Sequence, residues 1–160
     1  MFTITTHNEK ETFDLGQRLG KLLGKGDIVC FEGELGTGKT TMIKGIAQAL
    51  SFDSHQVQSP TFVLMNRYEG RTPIYHFDLY RINGEASLSG MGLDEFLYGK
   101  GVSLLEWAER LESFYPTACL QVKLDYKKDD DTKRQITFKA KGDHYARILR
   151  SLRLLKKLKS

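Results

Sequence analysis

The stretch that decides the fold reads Gly33-Glu34-Leu35-Gly36-Thr37-Gly38-Lys39-Thr40-Thr41. It matches the pattern G-x-x-x-x-G-K-[ST], in which glycines let the backbone wrap closely around phosphate groups. In that pattern the lysine ammonium reaches the β and γ phosphates of a nucleoside triphosphate, and the hydroxyl that follows binds Mg²⁺. The stretch predicts a phosphate-binding loop, with an ordinary glycine-rich turn as the alternative.

The flanking sequence favours the phosphate-binding interpretation. Residues 28–31 are a short apolar run suited to a buried strand, and residues 40–50 place their apolar side chains on one helical face. An order of strand, glycine loop and helix points the free N–H groups of the helix N-terminus at a bound anion. Nucleotide binding is therefore the first functional hypothesis.

Composition limits the class of protein. The chain of 160 residues is 40% hydrophobic, which suits one compact globular domain. Cys30 and Cys119 each lie inside an apolar run and are not in a C-x-x-C spacing, so we expect reduced core residues. No apolar run approaches bilayer length and no signal peptide is recognisable. These features predict a cytoplasmic protein without a transmembrane segment.

A proline-stiffened loop and two strands follow the first motif. Pro60 restricts the backbone just before Thr61, whose hydroxyl either senses a γ-phosphate or belongs to a plain turn. Residues 62–68 and 73–80 have the character of strands, and their short connection predicts an antiparallel pair. Asp78, near the end of the second strand, is a candidate partner of Mg²⁺ or of its water. The alternative is that the polar face carrying Asp78 is an exposed sheet surface.

An apolar strand that ends in an acid lies at residues 102–107. This is the arrangement of a Walker B segment, in which a buried strand delivers one carboxylate to the Mg²⁺ shell. Glu106 is therefore the first candidate for metal coordination, direct or through water, and the alternative is that it caps the next helix. Trp107 fills the core in the simplest interpretation.

The remaining segments complete an alternation of strands and helices. We expect an edge strand at 2–6, a helix at 8–24, a weakly helical stretch at 82–100, a hairpin of 118–126 and 134–140 joined by a charged turn, and a helix at 143–159.

The last helix carries the excess of positive charge. Residues 141–160 contain seven lysines and arginines and one aspartate, against a net charge of +4 for the whole chain. Apolar residues recur there at helical spacing, so the helix is amphipathic. Its basic face either meets RNA phosphates, an acidic partner or a membrane surface, or is solvated while the apolar face packs on the domain.

Four motifs together resemble one known family. They are the loop at 33–41, Ser-Pro-Thr-Phe at 59–62, His-Phe-Asp-Leu-Tyr-Arg at 76–81 and Leu-Glu-Trp at 105–107. Their order and the size of the chain resemble the bacterial TsaE (YjeE) family, the small ATPase of tRNA threonylcarbamoyladenosine biosynthesis, over residues 1–140.

The resemblance implies an α/β fold, the three-layer P-loop NTPase fold with a mixed sheet flanked by helices. It implies one ATPase domain at 1–142, and we expect residues 143–160 to form a basic helix of that domain. It also implies ATP and Mg²⁺ binding, weak hydrolysis, and association with the TsaD and TsaB proteins, which modify adenosine 37 of tRNAs reading codons that begin with A. Contact with tRNA would then be indirect, or direct through the basic helix.

Residue by residue, the resemblance implies that Lys39 and the loop amides bind phosphates and that Thr40 binds Mg²⁺. Glu106 would stand in the metal shell with Asp78 nearby, and Thr61 would be a switch residue. Trp107 would lie beside the nucleotide or a partner surface. One departure is Ala86-Ser87, where relatives usually carry an acidic pair.

Other nucleotide-binding classes fit less well. A small-molecule phosphotransferase usually carries a lid with several arginines, and residues 82–100 contain none. A GTPase usually carries an N-K-x-D motif, which does not occur here. A nucleotide-dependent adaptor that does not hydrolyse ATP stays open, because the same loop would bind ATP in either case. Since no arginine finger is evident, we expect slow turnover by the protein alone.

Overall fold

The computed structural model describes residues 1–157 of the chain. Within them seven strands form one sheet in the order β1-β7-β6-β2-β5-β4-β3. The strands are β1 (Phe2–Thr6), β2 (Ile28–Glu32), β3 (Met65–Tyr68), β4 (Ile74–Asp78), β5 (Val102–Glu106), β6 (Cys119–Lys127) and β7 (Asp130–Lys141).

The centre of the sheet is parallel and its margins are antiparallel. Strands β6, β2, β5 and β4 run the same way, whereas β7 opposes β6, β1 opposes β7, and β3 opposes β4. The predicted mixed sheet, the antiparallel pair and the edge position of β1 are confirmed. Because β2, β4 and β5 are parallel, their carboxyl ends meet at one edge of the sheet.

Helices cover both faces and make three layers. They are α1 (Glu9–Gly20), α2 (Lys39–Ala49), α3 (Glu85–Leu88), α4 (Leu93–Leu97) and α5 (Asp143–Lys157), with 3₁₀ turns at Ser54–Gln56 and Ala108–Phe114. Helices α1, α2 and α5 share one apolar core with one face of the sheet, whereas α3, α4 and the second 3₁₀ turn share another. The predicted α/β three-layer class is confirmed.

Glycines let α1 and α2 approach closely. A Cβ at Gly16 would lie 2.2 Å from the carbonyl oxygen of Met42, and one at Gly45 would lie 2.1 Å from that of Phe13. Helix α1 begins where the Asn8 side chain accepts a hydrogen bond from the N–H of Glu11. It ends at Gly20 and not at residue 24 as predicted, because the next residues turn back through 3₁₀-type hydrogen bonds to Leu19 and Gly20.

The predicted limits of several strands are wrong. The strand expected from residue 62 begins at Met65, because the N–H of Leu64 closes a turn onto the carbonyl of Pro60. The turn between β6 and β7 was expected to take seven residues, but the strands continue to Lys127 and Asp130. Polar residues on an exposed ribbon lack the apolar alternation that marks a strand in sequence.

The predicted helix at 143–159 is present to residue 157, and its last two positions lie outside the described residues. Tyr145, Ile148, Leu149 and Leu152 are buried against the domain, whereas Arg147 and its neighbouring arginines are exposed. The helix is thus amphipathic, with its apolar face packed on the domain and its basic face exposed. Both cysteines are free and buried, as expected. None of the described helices is long and apolar enough to cross a membrane.

Candidate nucleotide site

The glycine loop connects β2 to α2 at the carboxyl edge of the sheet. Gly33, Gly36 and Gly38 have φ values of 136°, 79° and 101°, a region that favours glycine. A Cβ on Gly33 would lie 2.2 Å from the carbonyl oxygen of Leu124, so β6 and the loop touch there. Gly38 caps α2 without a side chain, which leaves the helix entrance open to an anion.

Lys39 lies along the inside of the loop. Its Nζ donates hydrogen bonds to the carbonyls of Gly33 at 2.6 Å and Glu34 at 2.8 Å, and lies 4.3 Å from the centre of the Trp107 ring. Burial lowers the pKa of the Lys39 ammonium, while the carboxylates of Glu106, Glu109 and Asp78 act in the opposite direction. The ammonium is thus held at the loop among acidic groups.

Glu106 is buried at the end of β5. Thr40 donates its hydroxyl hydrogen bond to Oε1 of Glu106 at 2.8 Å, and Nε2 of His76 lies 2.8 Å from the same oxygen. The N-cap of the 3₁₀ turn that follows, Ala108–Phe114, is Trp107, and its side chain makes no capping hydrogen bond. The alternative that Glu106 caps this turn is therefore wrong, since its carboxylate faces α2 and β4.

Asp78 ends β4 in register with Glu106 on the adjacent strand. Its Oδ2 accepts hydrogen bonds from Ser59 and from Thr61, the latter at 2.8 Å, and its Oδ1 accepts one from the N–H of Tyr80. His76 and Asp78 are both buried, so the alternative of an exposed polar sheet face is wrong. The loop of residues 58–63, here called the Thr61 loop, is therefore hydrogen-bonded to Asp78 at the end of β4.

The other predicted loop residues have distinct surroundings. Thr37 is buried and donates to the carbonyl of Glu34, so it closes the loop on itself. Thr41 donates to Glu9 of α1 at 3.3 Å. Glu34 and Leu35 are exposed.

Trp107 adopts a left-handed conformation with φ of 59° and is half-buried. Its ring packs on Tyr80 with 4.9 Å between centres, and the ammonium of Lys39 lies 4.3 Å from the ring centre. The indole therefore stands at the mouth of the site and also contributes to the second core.

Two adjoining cavities share the loop. The first, of about 360 Å³, is lined by Lys39, Thr40, Thr61, Asp78, Glu106 and Trp107 among others. The second, of about 290 Å³, lies on the other side of Gly36 and Gly38 and is lined by Asn8, Glu9, Thr12, Thr132 and Arg134. One cavity is thus built around the acids and the ammonium, and the other around polar side chains from α1 and β7.

The hairpin of β6 and β7 supports the loop from outside. The hydroxyl of Tyr126 donates to the carbonyl of Leu35 at 3.0 Å, and Arg134 donates to the carbonyl of Gly36 at 3.4 Å. The Arg134 guanidinium also stacks on the Tyr126 ring at 4.3 Å. Sequence reasoning missed both residues, because they belong to a polar hairpin some ninety positions from the loop.

The donor set fits Mg²⁺ that arrives with a nucleotide. In the described part of the chain no group of three or more His, Cys, Asp or Glu side chains could hold a metal by itself. Mg²⁺ is usually bound by one or two carboxylates together with phosphate oxygens and water. The Thr40 hydroxyl beside two buried carboxylates matches that requirement.

Comparisons with known proteins agree with this geometry. The family described as "Threonylcarbamoyl adenosine biosynthesis protein TsaE" matches residues 6–136. Proteins named tRNA threonylcarbamoyladenosine biosynthesis protein TsaE are 38% identical in Bacillus subtilis strain 168, over 92% of this chain and 90% of that one, and 37% identical in Nostoc sp. PCC 7120, over 86% of each. The crystal structure of Bacillus subtilis YdiB superposes with a TM-score of 0.81 at 33% identity, covering 97% of this chain and 95% of YdiB. The chain thus has the P-loop NTPase fold and belongs to the TsaE family of threonylcarbamoyl adenosine biosynthesis proteins.

Proposed function

We propose that this protein binds ATP with Mg²⁺ and hydrolyses it slowly. We further propose that this activity serves threonylcarbamoylation of adenosine 37 in tRNA, in the cytoplasm and together with the TsaD and TsaB proteins. The observation that supports the chemistry is the convergence of Lys39, Thr40, Glu106 and Asp78 on one cavity beside the glycine loop.

Each of these groups has a role that its position supports. The loop amides and Lys39 bind the β and γ phosphates, and Thr40 and Glu106 hold the metal, with Asp78 beside them. When bound, Mg²⁺ neutralises charge that develops on the phosphates. Glu106 orients the attacking water.

Thr61 senses the γ-phosphate. Its hydroxyl is held on Asp78, and a phosphate oxygen in the same cavity would offer that hydroxyl a charged acceptor.

Turnover by the protein alone is slow because the site has little positive charge. Among the described residues lining the cavity, Lys39 is the only cation. An arginine finger raises the rate of phosphoryl transfer by roughly 10³–10⁵. Arg81, the arginine of the motif at 76–81, stacks on the exposed Phe62 ring at 4.4 Å. A partner would therefore supply the missing groups or order the Thr61 loop.

The second cavity suits the nucleoside. It adjoins the phosphate cavity across Gly36 and Gly38, and Asn8, Thr132 and Arg134 offer hydrogen-bonding groups to a base and a ribose. A guanidinium can also stack on a base. We place the adenosine of ATP between α1 and the hairpin.

The first experiment is steady-state phosphate release from ATP and Mg²⁺, by the protein alone and with TsaB and TsaD added. We expect a rate alone well below the range of about 1–100 s⁻¹ typical of kinases, and strong stimulation in the complex. Absence of ATP binding would refute the proposal. Binding without hydrolysis under either condition would support a nucleotide-dependent adaptor instead.

Glu106→Ala separates hydrolysis from binding. The variant should lose hydrolysis in the complex and retain metal-free ADP binding, because Glu106 acts at the metal and the water. Glu95→Ala, an exposed carboxylate on α4, is the matched control and should behave as wild type. Retained hydrolysis in Glu106→Ala would remove Glu106 from the proposed mechanism.

A further inference from the structure

A buried histidine joins the site to the Thr61 loop. His76 lies within β4 between β3 and β5 and is fully buried. Its Nε2 lies 2.8 Å from Oε1 of Glu106, and its Nδ1 lies 2.9 Å from the hydroxyl of Tyr68. Both ring nitrogens of a residue that no proposed step uses are thus occupied inside the sheet.

The Tyr68 hydroxyl has a second partner. It donates to the carbonyl of Gln58 at 3.0 Å, at the start of the Thr61 loop. The Asn66 side chain donates to the same carbonyl at 3.2 Å. A set of donor and acceptor contacts therefore runs from Thr40 through Glu106, His76 and Tyr68 to the loop, and the single Tyr68 hydroxyl proton serves either His76 or Gln58 at any one time.

The donors and acceptors in this set make the Thr61 loop sensitive to the position of Glu106. The Glu106 carboxylate only accepts, so Nε2 carries a proton, and Nδ1 of a neutral ring then accepts from Tyr68. The Gln58 carbonyl also only accepts, so one hydroxyl proton faces two acceptors. A movement of Glu106 that shifts His76 changes which of the two acceptors, Nδ1 of the ring or the Gln58 carbonyl, receives the Tyr68 hydroxyl proton.

The surroundings keep this set in place. The Tyr68 ring stacks on Phe52 with 4.6 Å between centres, and strand pairing fixes the backbone of His76. Because both side chains are constrained, the Glu106 carboxylate is held towards Thr40.

We propose that His76 is a positioning residue that holds Glu106 for the metal, and that Tyr68 couples this position to the Thr61 loop. The inference rests on the proposed function, since it assigns Glu106 to the metal.

The first test compares two amides at position 76. In His76→Gln the longer side chain can place an N–H near the Nε2 position and donate to Glu106. In His76→Asn the amide reaches only the Nδ1 position and loses Glu106. Affinity of the ADP complex for Mn²⁺, measured by electron paramagnetic resonance, should fall roughly 10–100-fold in His76→Asn and recover to within a few-fold in His76→Gln.

Metal-free ADP affinity provides the control in that experiment. It should stay near wild type in both variants, because neither removes a phosphate ligand. Equal Mn²⁺ affinity in the two amide variants would overturn the positioning role. The role would also be overturned if the variants lost metal-free ADP binding in proportion to a loss of folding stability. If the wild-type protein itself bound no ADP or Mn²⁺, the proposed function would fail first.

The second test concerns the coupling. Tyr68→Phe keeps the stacked ring and removes the hydroxyl, and Tyr145→Phe is the matched control, since that buried hydroxyl accepts the N–H of Ile28 at the opposite end of β2. Amide hydrogen exchange of the Thr61 loop, residues 58–63, should rise in Tyr68→Phe and also in His76→Asn, although the hydrogen bonds of the His76 ring go to Tyr68 and Glu106.

A double-mutant cycle decides between coupling and two independent effects. If the residues act in series, the Tyr68→Phe, His76→Asn double variant should match the larger single effect on Mn²⁺ affinity. Effects that multiply, or loop exchange that changes equally in Tyr145→Phe, would overturn the coupling.

Discussion

Replacing Gly33 by alanine tests whether the contact between the glycine loop and β6 sets the shape of the phosphate site. The alanine Cβ would lie 2.2 Å from the carbonyl oxygen of Leu124, at a φ of 136°. Carbon and oxygen atoms in contact stay roughly 3.3 Å apart, so the loop must move by about 1 Å. A displacement of about 1 Å at a positioned catalytic group lowers the rate roughly 100-fold, equivalent to about 2.8 kcal/mol, and we expect a loss of the same order in phosphate binding.

The assay is isothermal titration with ADP and Mg²⁺, together with thermal unfolding. We expect ADP affinity to fall about 100-fold in Gly33→Ala. The strained backbone should lower the free energy of unfolding by about 1–3 kcal/mol. At this chain length each 1 kcal/mol lowers Tm by roughly 2–4 °C.

Gly84→Ala is the matched control. Gly84 also has a positive φ, of 74°, but apart from its two chain neighbours no atom of the described residues lies within 4 Å of an added Cβ. It should lose about 1–2 kcal/mol of stability and no ADP affinity. The reasoning would be refuted if Gly33→Ala bound ADP within about threefold of wild type.

Three further predictions follow from other parts of the structure. Arg134→Ala should weaken ADP binding about tenfold, and should weaken binding of inorganic triphosphate, which has no nucleoside, by less. Both affinities are measured by titration, and equal losses would place Arg134 outside the nucleoside site. Burial raises the pKa of Tyr145 to about 12 from 10.0, so its contribution to stability is complete below pH 10 and is lost as the pH rises towards 12. In denaturant unfolding, wild type should therefore lose about 2–3 kcal/mol relative to Tyr145→Phe across that window, and parallel curves would contradict this. Replacing Arg147, Arg150 and Arg153 by glutamine should weaken tRNA binding and flatten its salt dependence in filter binding while leaving Tm unchanged, and unaltered binding would remove the RNA role of α5.

The elements that sequence predicted well are those with a local cause. The strand, glycine loop and helix around Lys39 are present as predicted. Glycines allow the positive φ values of the loop, and the spacing of apolar residues sets the strand and the helix, so both causes lie in neighbouring residues. Glu106 and Asp78 lie at strand ends as predicted, and strand pairing sets them side by side. Their roles at a metal stay proposals.

The strand limits that were predicted wrongly depend on contacts between residues that the sequence pattern does not indicate. The turn from Pro60 to Leu64 shortens β3, and the polar β6 and β7 ribbon extends into the expected charged turn. His76 shares the polar face of β4 with Asp78, yet it is fully buried, paired with β5 through the backbone and hydrogen-bonded to Tyr68. Burial of a strand depends on which strands and helices pack on it, and those elements come from distant parts of the chain.

The sequence by itself predicted the glycine loop and the two candidate acids, because backbone sterics and apolar spacing act between near neighbours, and its resemblance to the TsaE family supplied the three-layer class. Only the tertiary structure decided that Tyr68 and His76 join Glu106 to the Thr61 loop, and that Arg134 reaches the glycine loop. These contacts follow from the strand order, which is set by burying both faces of one sheet and cannot be deduced from any single segment.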